Sequence, residues 1–155
     1  MYVAEASRGD LPMGGAFAPA RMRIHPLSHV DAPAGVGPRV VLHVDFEDRF
    51  GHPVKAAGAM QIKLLEPERR ANGASELDDV SRRWEPAFTD LAANSQLYDP
   101  TTRTYRIELG GLPEWAQAYA RGQDDRAGIE LVVEYEGLDA AGDAFVLTSR
   151  ADVRR

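Results

Sequence analysis

Residues 40–48 read Val40-Val41-Leu42-His43-Val44-Asp45-Phe46-Glu47-Asp48. In an extended chain successive side chains point to opposite faces, so Val40, Leu42, Val44 and Phe46 share one face. Val41, His43, Asp45 and Glu47 share the other. One face is apolar and the other largely polar, as in an antiparallel strand with a core on one side and water on the other.

The same alternation recurs on either side of this stretch. Met60, Ile62 and Leu64 lie opposite Gln61 and Lys63, and Tyr105, Ile107 and Leu109 lie opposite Arg106 and Glu108. Ile129, Leu131, Val133 and Tyr135 lie opposite Glu130, Val132, Glu134 and Glu136. Phe145, Leu147 and Ser149 mark a last strand through Ala144–Asp152. Met22-Arg23-Ile24 is a short first strand ended by Pro26, and Arg83-Trp84-Glu85 a further short one. Turn residues separate the runs: Asp48–Pro53, Asp99-Pro100-Thr101-Thr102 with Pro at the second turn position, and Gly137–Asp143 with Gly142 at a positive φ. Helix is scarce. Pro113–Arg121 is the best segment, with Pro at the first helical position and Gly122 as its stop, and Thr89–Asn94 is expected to form one turn. No internal repeat is visible.

This pattern predicts an all-β chain: an immunoglobulin-like, Greek-key antiparallel β-sandwich of about seven strands, with one short helix in a crossover. Met1–Ala20, with five Ala, three Gly and two Pro, reads as a flexible tail or linker, and residues 21–155 as the sandwich. The expected core is Ile24, Val40, Leu42, Val44, Phe46, Met60, Ile62, Leu64, Trp84, Tyr105, Ile107, Leu109, Ile129, Leu131, Val133, Tyr135, Phe145 and Leu147. A small closed barrel is the structural rival, but it needs near-continuous pairing of every strand. The irregular stretches Leu27–Pro38, Glu66–Arg82 and Leu112–Ala127 fit sandwich crossovers better.

Composition narrows the function. The chain has 155 residues, with 18 basic against 24 acidic side chains and a net charge of -6. An acidic surface repels phosphate backbones and anionic lipid, so neither nucleic-acid binding nor a polybasic membrane contact is expected. Only Lys55 and Lys63 are lysines; the arginines are scattered rather than gathered into a recognition cluster. There is no cysteine, which excludes disulfides, thiol catalysis and Cys-ligated metals. The apolar runs are too short to span a bilayer. Met1–Ala20 lacks a basic start followed by an apolar core, so no signal peptide is expected there. A location outside the cytoplasm is expected if a signal or lipid anchor precedes Met1.

The segment Asp48-Arg49-Phe50-Gly51-His52-Pro53-Val54 has a D-x-x-G-x-P-V spacing between two strands. It resembles the strand junction of bacterial surface modules with immunoglobulin-like or carboxypeptidase-regulatory-like sandwiches. The wider layout is Ile24, Val30-Asp31, that junction, Glu66-Pro67 and Trp84. It resembles an uncharacterised family of extracytoplasmic sandwich domains from planctomycete-type bacteria, over about Arg21–Asp152. The resemblance implies a sandwich fold and carries over no activity and no catalytic residue.

Several constellations bear on chemistry. His25, His29 and Asp31 are donors for a divalent ion, but the i,i+4 spacing of the histidines serves a metal only on a helix, which Pro26 disfavours. Asp45, Glu47 and Asp48 gather oxygens without the D-x-D-x-D-G order of a calcium loop, and Asp139 and Asp143 are similar. Glu130, Glu134 and Glu136 share a strand face, yet acid–base work needs one raised pKa in a cleft, not a flat face. No G-x-S-x-G elbow or phosphate loop is present. Trp115, Tyr119 and Tyr98 are the candidate binding residues. Trp115 and Tyr119 stand i,i+4 on the expected helix and face the same way, either capping the sandwich or meeting a partner.

The expectation is a non-enzymatic structural or protein-interaction module of a bacterial extracytoplasmic or surface protein, without metal or cofactor. It would be a monomer or weak dimer, meeting a protein partner or sibling domains of the same protein. A carbohydrate-binding module using Trp115, Tyr119 or Tyr98 is the alternative, and a small metal-dependent hydrolase stands behind it. The strand register itself predicts that Leu42→Ala and Leu131→Ala each destabilise by about 2–5 kcal/mol, because each removes buried volume. Wild-type denaturant midpoints for both variants would sink that register.

Overall fold

The computed structural model describes residues 18–66, 80–139 and 141–155. Its strands are β1 (Arg21–Ile24), β2 (His29–Asp31), β3 (Arg39–Glu47), β4 (Ala59–Leu65), β5 (Val80–Trp84), β6 (Tyr98–Asp99), β7 (Thr104–Leu109), β8 (Ile129–Leu138) and β9 (Ala144–Val153). Helix α1 (Leu91–Leu97) precedes β6, and α2 (Glu114–Ala120) precedes β8. Two antiparallel sheets result. One runs β1-β3-β7-β6 with β2 also on β3, and the other runs β5-β4-β8-β9. Their inward residues form one core, as in a β-sandwich: Val40, Leu42, Val44 and Phe46 from β3 meet Ile62, Leu64, Leu131 and Val133 from β4 and β8. The inward residues of β3 are at most 1% exposed, so the alternation in residues 40–48 places the centre of the molecule.

Among the described residues there are nine strands and two helices, rather than about seven strands and one helix. Part of the difference is a break in the first edge strand. β1 and β2 both pair with β3, Arg21↔Glu47 to Ile24↔Val44 and then His29↔Val41 to Asp31↔Arg39. Pro26 has no N–H to donate, so the ladder lapses between them. Ser28 fills the gap. Its Oγ accepts from His43 N (2.9 Å) and donates to the His43 carbonyl (3.2 Å). The irregular stretch expected over Leu27–Pro38 therefore contains a strand. The two-residue β6 adds another. The single turn expected over Thr89–Asn94 is a seven-residue helix beginning later, at Leu91, because Asp90 caps it by accepting from Ala93 N (2.8 Å). Helix α2 lies within the expected Pro113–Arg121, but Pro113 is its N-cap rather than its first helical residue, and Gly122 follows its end at φ 74°. Gly142 likewise has φ 87° in the last hairpin.

Most of the tail expected over Met1–Ala20, and most of the crossover expected over Glu66–Arg82, lie outside the described residues. Ala20 N donates to the Glu47 carbonyl (2.8 Å), carrying the pairing just past β1. Three residues expected in the core are only half-buried. Trp84 is on edge strand β5, and Phe145 and Leu147 are on edge strand β9, where one flank is open. The core instead takes in Phe88, at 1% exposure, from a segment with no alternation. Val41 and Val132 face outward yet are buried. Val132 is flanked in register by Lys63 and Arg150, long side chains with apolar stems.

Phe46, Phe88, Tyr105 and Tyr135 pack ring to ring, with centroids 4.6 Å apart for Phe88–Tyr105 and 4.9 Å for Phe46–Tyr135. Beside them lies a buried polar knot. The Tyr105 hydroxyl accepts from Ala56 N (3.0 Å). It also lies 3.0 Å from the Ala56 carbonyl and from Asn94 Oδ1, and its one proton serves either. Asn94 Nδ2 donates to the carbonyls of Ala56 (2.8 Å) and Phe88 (3.0 Å). Two irregular segments and helix α1 are thereby tied to β7. Removing one partner leaves the others unsatisfied in a dry environment, so Asn94→Ala and Tyr105→Phe should each cost about 1–3 kcal/mol. The double variant should cost less than their sum, as expected of residues in one network. Additive losses in urea denaturation would show that the two groups act independently.

Candidate functional site

The aromatic residues named from the sequence do not form an open platform. Tyr119 is 2% exposed and belongs to the core rather than to a surface. Its hydroxyl donates to the Ala127 carbonyl (3.3 Å) and accepts from Arg155 N (3.2 Å). Its burial follows from α2, which lays Ala116, Tyr119 and Ala120 against the sandwich. Trp115 is half-buried, and its indole N–H donates to Ser81 Oγ (3.3 Å). The Arg126 guanidinium lies 4.6 Å from the Trp115 ring centroid and that of Arg155 5.2 Å from the Tyr119 centroid. Tyr98 is also half-buried, edge-on to Tyr105 at 5.1 Å, with Lys55 Nζ 4.8 Å from its ring centroid. Each ring already carries a cation on one face.

The metal candidates resolve into local bonds and ion pairs. His25 Nδ1 accepts from Leu27 N (3.1 Å), and His29 Nδ1 donates to the Leu27 carbonyl (2.9 Å). The second ring nitrogen of His29 lies 3.4 Å from Asp31, whose carboxylate is held by Arg39 Nε at 2.8 Å. That hydrogen bond keeps the Asp31 carboxyl below its usual range. Arg39 also meets Glu108 (3.0 Å), as does Arg106 (2.7 Å), and these partners lower the Glu108 pKa. Asp45 pairs with Arg23 (2.7 Å) and Glu47 with Arg21 (3.4 Å) across β1 and β3. Asp139 Oδ1 accepts from Ala141 N and Asp143 N and so closes the last hairpin. Among the described residues no three His, Asp or Glu side chains converge as a metal would require.

Asp48 is more unusual. It is fully buried, and its Oδ1 accepts from Phe50 N (2.9 Å) and His52 N (3.0 Å). Burial pushes its pKa up, but these backbone donors outweigh it and hold the carboxyl below its usual value. Among the described residues Oδ2 has no hydrogen-bond partner, and His52 Nδ1 lies 3.7 Å away. The D-x-x-G-x-P-V junction is thus a loop wrapped around its first carboxylate, and Gly51 supplies the positive φ of 82° that the wrap needs.

The sequence placed His43 only on a polar strand face. In the structure it is 7% exposed, and its Nδ1 lies 2.8 Å from Thr104 Oγ1. Thr104 Oγ1 is in turn 2.8 Å from Thr102 Oγ1. An imidazole bonded to a hydroxyl is the pairing of a general base with a nucleophile. Thr104 is 0% exposed, however, so its oxygen is buried away from the surface. Burial lowers the His43 pKa, and Arg106, His25 and His29 lower it further against the pull of Asp99. Nothing in a single sequence marks this residue, because its burial depends on which side chains face it from β2 and β7.

Two of the shallow concavities that flank the second sheet bear on binding. One, of about 490 Å³, lies between Pro86–Thr89 and the ends of β4 and β8, with Glu85, Glu134 and Glu136 in its walls. The other, of about 340 Å³, lies between β1 and β9 and is lined by Arg21, Arg23, Leu147 and Thr148. No helix of the described residues is long and apolar enough to cross a membrane. In comparisons with known proteins, no family model, no curated protein and no solved structure matches this chain.

The His43 environment has a consequence for pH. Its folded pKa lies below the ordinary histidine value of 6.5, so the fold favours the neutral ring. That contribution to stability is fully present above pH 6.5 and is lost as the pH falls from there through the lower folded value, because the unfolded chain then binds the extra proton. The denaturant midpoint should therefore drop more steeply over this interval in wild type than in His43→Gln. Parallel profiles would remove His43 as the cause.

Proposed function

We propose that the chain is a non-catalytic β-sandwich module of immunoglobulin-like strand order, serving as a structural or protein-interaction domain of a bacterial extracytoplasmic protein. The strand order supports the fold assignment. Labelled alphabetically, β1-β3-β7-β6 follows A-B-E-D, and β5-β4-β8-β9 follows C′-C-F-G. The chain departs from the antibody pattern in having no cysteine pair and no Trp on β4. The likeness of the Asp48–Val54 junction to bacterial surface sandwiches supports the location.

The observation that carries the functional reading is how the outward polar side chains are used. Arg23–Asp45, Arg39–Asp31, Lys63–Glu134 and Arg150–Glu130 each join neighbouring strands at 2.7–2.9 Å. Surface pairs of this kind, here partly covered by their neighbours, contribute about 0–1 kcal/mol each and set register more than they add stability. Side chains committed to one another across a ladder are not free to take up a reacting group. The buried imidazole–hydroxyl pair is likewise closed to solvent. The module acts through its surface, as a monomer or weak dimer, on a protein partner or on sibling domains.

Carbohydrate binding is the second reading, favoured by the partly open rings of Trp115 and Tyr98. Trp115→Ala separates the two. A half-buried indole with a hydrogen bond and a stacked guanidinium is a structural part, so its loss should cost about 2–3 kcal/mol in melting experiments and leave glycan-array binding unchanged. Intact stability with abolished glycan binding would replace the interaction-module reading with the carbohydrate one.

A further inference from the structure

We infer that the outward face of the second sheet, at its β8–β9 hairpin end, docks a segment of a partner protein that carries Lys or Arg among aliphatic residues. This deepens the interaction-module reading and rests on it. Strand register lays the face out in rows. Ala59, Glu136 and Val146 are aligned across β4, β8 and β9, and Leu138 lies opposite Ala144 in the next row toward the hairpin. Leu138 is 70% exposed and Val146 60%. On the other side the row Gln61, Glu134 and Thr148 leads to Glu85 through the Gln61 Nε2–Glu85 bond (3.2 Å). An exposed aliphatic strip thus opens into a groove with three carboxylates in its walls and no basic residue among them.

The charges choose the occupant. Glu134 is neutralised by Lys63 (2.9 Å), whereas among the described residues Glu136 has no ion-pair partner and Glu85 takes only an amide N–H from Gln61. An apolar segment alone would cover these carboxylates without compensating their lost hydration. A Lys or Arg side chain answers both demands: its methylene stem lies on Val146 and Leu138 while its head meets Glu136 or Glu85. A second copy of this chain fits badly. In a two-fold contact the same patch meets itself, which sets acid against acid on molecules each of net charge -6. Anionic nucleic acid meets the same repulsion.

The test uses three synthetic octapeptides as probes: alternating Lys and Val, alternating Glu and Val, and alternating Lys and Ser. Amide chemical-shift mapping of the isotope-labelled chain should show the Lys–Val peptide moving signals of Ala59, Glu136, Leu138 and Val146. Its affinity should weaken about tenfold or more in the E85K/E136K variant, as for loss of complementary charge, and also in about 0.5 M salt. Both glutamates are exposed, so the variant should keep the wild-type fold. Val146→Ser, which alters only an exposed aliphatic side chain, should weaken binding independently of charge. The proposal is overturned by shifts elsewhere, by no shifts at millimolar peptide, or by equal binding of the Glu–Val or Lys–Ser peptide. Unchanged affinity in the variants also overturns it, as do concentration-dependent shifts without peptide, which would seat a second copy there. Such a failure leaves the module reading standing unless Trp115→Ala also abolishes glycan binding.

Discussion

Much of this sandwich depends on one hydroxyl. Tyr105 Oη sits in the core among Phe46, Phe88 and Tyr98, where an unpaired polar atom is costly. It is satisfied only because the β3–β4 connection brings Ala56 to it and α1 brings Asn94. Asn94 then secures Phe88, which fills the space between the two sheets. In a low-dielectric interior such a network rigidifies what it joins, provided every member is paired. Segments without strand periodicity thus gain a fixed path from a strand residue, and the walls of the Glu85–Glu136 groove hang from that path through Pro86–Thr89.

The outward faces follow a different rule. There the polar groups are wet, individual pairs are weak, and their use is alignment. Each cross-strand pair is satisfied only when its two strands are in register, and slipping by one residue would turn Arg23 from Asp45 and Lys63 from Glu134. The row of Arg83, Lys63 and Arg150 across the second sheet separates the carboxylates near the hairpin from Glu130 and Asp152 at the far end. The sheet face is therefore banded, and the hairpin end is the acidic, partly apolar band.

The sequence was most legible where burial and period coincide. Residues 40–47, 60–65, 104–109 and 129–136 are strands with the expected inward sets, because a strand with one wet face writes its geometry into alternate positions, while Asp48, read with the first run, already belongs to the junction loop. Phe88 and Asn94 left no such trace: Phe88 lies in an irregular segment with no periodic neighbours to announce its face, and Asn94, within a seven-residue helix, is placed by its tertiary hydrogen bonds. His43 was legible as to its face but not its burial, which comes from what lies over it. Tyr119 was legible as the partner of Trp115 on one helix face, but the depth to which that face sinks is set by the sandwich beneath. The break at Pro26 was visible, whereas the repair by Ser28 and the resumption as β2 were not, since a side chain standing in for a backbone rung has no sequence period.

The seam between the first and last strands has a mechanical meaning. β1 and β2 run parallel to β9, touching it through Ile24 N–Ser149 Oγ (3.1 Å) and through the parallel bridge of His29 with Arg154, where Val30 N meets the Arg154 carbonyl (2.8 Å). Because the strands point the same way, tension applied at the two ends pulls them in opposite directions along a common axis. Both contacts are then loaded together, in shear. Antiparallel terminal strands would be peeled apart one contact at a time. A domain strung between neighbours in an extended protein would meet traction with its seam acting as a clasp.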